Sequence, residues 1–288
     1  MPTQQELYAT IRQRLQAIDP DAGALEARFI LKDVMLLSDA DLITQSDQVV
    51  ATDHETQILD IVSKREAGEP LSRIMGQTEF WGLPFTVTPD VLDPRADTEI
   101  LIEATLKWVT EQKRENDPLR ILDLGTGTGC IPISFLSELP NATAVAVDYS
   151  YDAALIAAQN AEQNKVDDRF MVIQSDWLTA LQPQSFDLIV SNPPYIRSAD
   201  IENLSVEVKN HDPILALSGG IDGMDCYKKI IFSLESHLKD DAHAFLEIGF
   251  DQLSDLTRLV DDSMLRLCDS VADHGGNPRV VDICRGDK

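Results

Sequence analysis

The chain has 288 residues, enough to bury a hydrophobic core in one large domain or two smaller ones. At 43% hydrophobic and 25% charged residues it reads as an ordinary globular protein, and no apolar run approaches the roughly 20 residues that cross a bilayer. Its 24 basic residues face 49 acidic ones, a formal charge of −25, which argues against a surface that grips nucleic-acid phosphates and fits solubility or a basic protein partner.

The first residues, MPTQQELYATIRQRLQ, lack the basic start and apolar stretch of a secretion signal, so the cytoplasm is the expected location. Cys130, Cys226, Cys268 and Cys284 form no CxxC pair and sit near no histidine cluster. Reduced thiols and no metal site are expected.

Residues 1–75 read as a helical bundle. Leu7, Ile11, Leu15 and Ile18 recur at helical spacing. A second helix covers about 22–36, with Leu25, Phe29, Ile30 and Val34, and a third follows Asp53 as N-cap, with Ile58, Ile61 and Val62 facing inward. The segment 79–88 places aromatic and β-branched residues around Gly82 and Pro84, as a short hairpin does. A linker over 76–97 then leads to a helix over 98–112, which Asp97 or Thr98 could cap.

From residue 118 the pattern alternates strand, turn and helix. Strands are expected at 120–124, 142–147, 170–174, 186–191 and 242–248, with helices at 129–138, 151–164 and 224–238. Near-continuous apolar strands separated by helices indicate a parallel sheet covered on both faces. Two late strands, near 264–271 and 279–285, close it as a hairpin with one strand antiparallel. The fold class is therefore α/β, a Rossmann-like doubly wound sheet over 98–288 behind a helical domain and a hairpin linker.

Ligands of such sheets bind beyond the carboxyl ends of the strands, and four polar motifs fall there. Asp123-Leu124-Gly125-Thr126-Gly127-Thr128-Gly129 ends a strand and opens a helix. The dinucleotide fingerprint would need a third glycine at position 130, where the chain has Cys130. Its G-x-G-x-G spacing resembles the loop that holds S-adenosylmethionine in class I methyltransferases. Asp148 ends the next strand, 23 residues after Gly125, where a carboxylate can accept from both ribose hydroxyls. Asp176 and Trp177 follow a third strand, the carboxylate suited to an exocyclic amine and the indole to an apolar surface; which of the two faces the base stays open.

The fourth motif points to the reaction. The strand ending at Ser191 runs into Asn192-Pro193-Pro194-Tyr195. Prolines cannot donate to a sheet, so the strand stops and the Pro193 carbonyl is freed. With the Asn192 side-chain oxygen it makes two acceptors for one NH2 group, on whose plane Tyr195 can lie. An amide nitrogen is a poor nucleophile, so methyl transfer to it gains most from positioning and electrostatics.

On these residues the chain resembles the bacterial release factor glutamine methyltransferases. The likeness is weak in the helical part and strong from about residue 69. It includes Glu69–Gly76, Glu79–Trp81, Pro94-Arg95, Asp97-Thr98-Glu99, Asp212-Pro213, Gly219–Tyr227, Leu246–Gly249 and Arg279–Val281. Asp93-Pro94-Arg95-Ala96 departs from the family's usual Ile-Pro-Arg-Pro, and Asp212 stands where Glu is usual. The resemblance implies S-adenosylmethionine as cofactor and S-adenosylhomocysteine as product. It implies the glutamine of the Gly-Gly-Gln motif of class 1 peptide chain release factors as substrate, gripped by residues 1–75. No direct nucleic-acid or membrane partner and a monomeric state are expected. The rival readings are a glutamine methyltransferase acting on a ribosomal protein, a DNA adenine N6-methyltransferase, and a cofactor-binding scaffold.

Overall fold

The computed structural model describes residues 1–183 and 185–286. It divides into two compact units, Met1–Gly76 and the chain from Gln77 onward, so the hairpin falls inside the second unit. Among the described residues no helix is long and apolar enough to cross a membrane.

The first unit holds five helices: α1 (Gln4–Gln16), α2 (Gly23–Met35), α3 (Asp39–Thr44), α4 (Thr52–Glu66) and α5 (Leu71–Met75). Helix α1 begins with a reciprocal capping box between Thr3 and Glu6. Leu7, Ile11 and Leu15 pack with Ile30, Leu31, Ile58 and Val62 in one apolar cluster. Three expectations need correction. Ile18 is exposed because α1 has already ended at Gln16. Leu25 and Phe29 are exposed too, since the buried stripe of α2 runs through Ala27, Ile30 and Leu31. The N-cap of α4 is Ala51, and Asp53 lies in its first turn, where a carboxylate still suits the helix dipole.

The second unit begins with β1 (Gln77–Phe80) and β2 (Leu83–Thr86), an antiparallel pair. Trp81 and Gly82 form its two-residue turn, both at positive φ, the geometry whose twist matches the strands it joins. Helix α6 (Glu99–Glu111) follows.

Next come β3 (Arg120–Leu124), α7 (Cys130–Glu138), β4 (Thr143–Asp148), α8 (Tyr151–Gln163), β5 (Phe170–Gln174) and β6 (Phe186–Ser191). Two short helices, α9 (Val206–His211) and α10 (Ile214–Leu217), precede α11 (Asp225–His237) and β7 (Leu238–Glu247). The chain ends with α12 (Leu253–Asp261), β8 (Leu265–Ala272) and β9 (Pro278–Arg285). The seven-stranded sheet has the order β5-β4-β3-β6-β7-β9-β8. Strands β3 to β7 pair in parallel, and β9 runs antiparallel to both neighbours.

Alternation along β3 divides the core. Ile121 joins the cluster built with α6 and α7, while Leu122 and Leu124 join the one built with α11 and α12. All six residues of β6 are buried, which explains its unbroken run Phe-Asp-Leu-Ile-Val-Ser. The polar exception, Asp187, meets Arg114, Lys239 and the Arg120 amide.

The expectation of reduced thiols is also corrected. Antiparallel pairing of β8 with β9 brings together Cys268 and Cys284, 16 residues apart in the chain, and they form a disulfide. His243 and Asp282 lie beside them, but the Cys268 sulfur is committed to that bond. Cys130 and Cys226 are free.

Candidate active site

The chain order reverses between β3 and β6, and a cavity of about 460 Å³ opens at the carboxyl ends of these strands. Such a reversal leaves a crevice because the flanking crossovers leave in opposite directions. Of the residues singled out above, Gly125, Gly127, Asp148, Asp176, Trp177, Asn192 and Pro194 line it. Thr126, Thr128 and Pro193 are buried behind it, and Gly129 and Tyr195 do not reach its wall.

The glycine turn is tied to β4, since the Gly125 and Thr126 amides both donate to the Val147 carbonyl, at 2.8 and 3.0 Å. Gly129 has φ +78°, and a Cβ there would press on Ile133 and Ala157 at 3.1 and 3.2 Å. Its role is to let α7 start close against α8. Asn160, fully buried on α8, completes the frame. Its amide nitrogen donates to the Thr128 and Thr86 carbonyls at 2.9 and 3.1 Å, and its oxygen accepts from the Thr86 amide at 2.8 Å. One side chain thus binds the hairpin to the glycine turn, a role that no motif in the sequence marks.

Asp148 accepts from the Gly127 and Ser150 amides, one per oxygen, each at 2.8 Å. Burial raises its pKa and the two amides oppose the rise; each oxygen keeps a lone pair for a ligand. The Trp177 ring lies against Gly125, with its own backbone at φ +50°. That strained conformation in a bulky residue is of the kind that concentrates at functional sites. Asp176 is half-exposed and pairs with Lys229 at 3.5 Å.

Asp123, just before the turn, is fully buried, and neither of its carboxylate oxygens makes a hydrogen bond. Burial lifts its pKa to about 7, with the nearby Thr126 hydroxyl pulling down and Asp148 adding to the rise. The sequence set it at the head of the glycine motif without giving it a role of its own.

At the end of β6 the Ser191 hydroxyl donates to the Leu124 carbonyl at 2.6 Å, joining the two central strands. The Asn192 amide nitrogen donates to the Thr98 hydroxyl at 3.0 Å. Thr98, offered above as a helix cap, makes no capping bond. Among the described residues the Pro193 carbonyl receives no hydrogen bond. The Tyr195 hydroxyl donates to Glu247 Oε1 at 3.2 Å, and burial drives its pKa up. Glu247 is itself buried, with Oε2 unbonded. Burial raises it to about 7 against the pull of the Thr98 hydroxyl, Arg279 and Tyr195.

The loop after this motif closes on it. Gly219 donates to the Ile196 carbonyl, and a Cβ at Gly219 would lie 2.8 Å from the Pro194 carbonyl. The Gln252 amide nitrogen bonds the Tyr195 and Gly223 carbonyls at 3.0 and 3.1 Å, while its oxygen accepts from Gly249 at 2.9 Å. Arg95, which matches the pattern the chain resembles, pairs at 2.5 Å with Asp212, which stands where that pattern has Glu. Gln252 was not legible as a site residue, because its partners are backbone groups scattered over 57 positions.

Compared with known proteins, residues 6–76 match the PrmC N-terminal domain and residues 98–209 the methyltransferase small domain. The chain is 39% identical over 280 residues to the release factor glutamine methyltransferase of Agrobacterium fabrum, spanning 97% of this chain and 96% of that one. The protein of that name from Bradyrhizobium diazoefficiens is 38% identical over 273 residues, spanning 94% and 91%. The solved ribosomal protein L11 methylase from Lactobacillus delbrueckii subsp. bulgaricus shares the fold, with a TM-score of 0.51 at 18% identity over 69% of this chain and 82% of that chain.

Proposed function

The chain belongs to the release factor glutamine methyltransferases, and on that premise we propose that it methylates the side-chain amide nitrogen of the glutamine in the Gly-Gly-Gln motif of class 1 peptide chain release factors. The observation that carries this reading is the anchored Asn192 amide at the end of a buried strand, facing the same cavity as Asp148 and the glycine turn.

The residues present fit S-adenosylmethionine. Asp148 keeps lone pairs for the ribose hydroxyls, and Val147, Leu92 and Trp177 offer apolar surface for the base. Asp123, a carboxyl group with no partner of its own, favours positive charge nearby, which the ammonium and sulfonium groups carry. When bound, the cofactor supplies an electrophilic methyl group.

The protein's task is then to orient the amide. Asn192 Oδ1 and the Pro193 carbonyl accept the two amide protons, which draws electron density toward nitrogen and fixes the direction of its lone pair. Tyr195, tethered through its hydroxyl to Glu247, stands outside the cavity wall and braces the turn that presents these two acceptors. Aligned reactants lower a barrier by as much as roughly 7–11 kcal/mol. The N-methylated amide cation is strongly acidic, so it sheds its proton without a strong base. We assign recognition of the release factor to the helical unit and place the activity in the cytoplasm.

The test is methyl transfer from labelled S-adenosylmethionine to a class 1 release factor, to the same factor with its Gly-Gly-Gln glutamine changed to alanine, and to duplex DNA. Label on the intact factor alone is expected. Label on DNA, or on the alanine variant as strongly as on the intact factor, would overturn the reading.

A further inference from the structure

An asparagine side chain can present either its oxygen or its nitrogen to a site, and only the oxygen accepts a proton from a substrate amide. Which one faces the cavity here is settled by what lies on the other side of Asn192. Its Nδ2 is 3.0 Å from Thr98 Oγ1. Thr98 is buried, and its hydroxyl faces the buried carboxyl group of Glu247. A hydroxyl has one proton to give. With Nδ2 as the donor, the lone pairs of the Thr98 hydroxyl take the Asn192 proton, and its own proton is free to turn toward the Glu247 carboxyl group nearby. The flipped amide would present Asn192 Nδ2 to the cavity, where it has no lone pair to accept a substrate proton.

Neighbouring contacts keep the strut in place. Asp97 pairs with Arg279 at 3.2 Å, and the Thr98 amide donates to the Arg95 carbonyl at 2.9 Å, so the turn carrying Thr98 is held on both sides. Glu247 Oε1 receives the Tyr195 hydroxyl, and the Tyr227 hydroxyl donates to the Glu247 carbonyl at 2.7 Å. The same carboxyl group therefore braces both polar side chains of the Asn-Pro-Pro-Tyr turn.

We propose that Thr98 is a positioning residue: braced by Glu247, its hydroxyl accepts from Asn192 Nδ2 and so holds the Asn192 oxygen toward the substrate amide. This rests on the methyl-transfer reading above. Thr98 touches no reacting atom; it acts through Asn192.

The experiment compares T98V, which keeps the shape and removes the hydroxyl, with T98S, which keeps the hydroxyl. In T98V kcat on the release factor falls roughly 10- to 100-fold, less than deletion of a whole stabilising group. Its cofactor affinity by calorimetry, the check that the variant is folded, stays at the wild-type value. T98S restores most of kcat. The Asn192 side-chain amide protons, followed by NMR with 15N-labelled asparagine, exchange faster in T98V than in the wild type or T98S. Wild-type kcat in T98V would overturn the proposal, as would failure of T98S to restore it or unchanged amide exchange in T98V. A wild-type enzyme that labels no release factor would instead defeat the functional reading, and the exchange measurement would still judge Thr98.

Discussion

In the proposed site, single side chains are expected to separate cofactor binding from turnover. Asp148 is placed by two backbone amides at 2.8 Å and lines the cavity. Asp148→Ala removes the acceptor proposed for the ribose hydroxyls, and hydrogen bonds to a charged group are worth about 1.5–3 kcal/mol. Cofactor affinity is expected to fall roughly 10- to 100-fold by calorimetry; an unchanged affinity would remove Asp148 from the cofactor site. Asn192→Ala differs, because the lost group is the acceptor proposed for the reacting nitrogen. Its kcat should drop by about 10²-fold or more while cofactor affinity holds, and an equal loss of both would contradict the role. Both residues stand out in the sequence because each is local to a strand end. Thr98, Glu247 and Gln252 do not stand out there as site residues, because their importance lies in contacts across 94, 52 and 57 positions. The motif resemblance touched Thr98 and Glu247 without assigning them a task.

At the scale of elements, helices and strands with strong periodicity were legible and their exact faces less so. The buried run of β6 and the alternation in β3 read directly as strands. The stripe of α2 was misjudged because Leu25 and Phe29 are more apolar than Ala27, yet packing against α1 and α4 selects the Ala27 face. The short helices α3, α5, α9 and α10 have four to six residues and too few apolar positions to show a period. Joints between elements were invisible. Asn160 ties β2 to the glycine turn with three bonds, and a buried partner left unmade costs about 1–3 kcal/mol. Asn160→Ala should therefore destabilise the protein by about 2–4 kcal/mol and loosen the turn enough to weaken cofactor binding. Denaturant unfolding with a loss under about 1 kcal/mol would mean that the joint carries little.

At the scale of the whole molecule, burial lifts the pKa values of two carboxyl groups among the described residues, Asp123 and Glu247, to about 7 from 3.8 and 4.5. The folded protein keeps protons that the unfolded chain releases, so the stability these groups contribute is full below the unfolded values and is lost as pH rises through about 7. Each pH unit in that window removes up to about 1.4 kcal/mol per group. Thermal unfolding of the cofactor-free protein should show a falling midpoint from pH 5 to pH 8, and Asp123→Asn should flatten part of the fall; an unchanged slope would contradict its raised pKa. The division at Gly76 leads to a further expectation. Residues 77–288 alone should bind cofactor and act on a short Gly-Gly-Gln peptide, but lose most kcat/KM on an intact release factor. Full efficiency on the intact factor would remove recognition from the helical unit. By itself the sequence determined the α/β class, the strand-end positions of the chemical groups and the family, since period and motif spacing are local properties of the chain. Tertiary structure alone decided which way the Asn192 amide faces, that Cys268 and Cys284 join, and that two carboxyl groups are buried with unbonded oxygens. Those outcomes depend on dielectric surroundings and on distances between residues far apart in the chain, which no local pattern encodes.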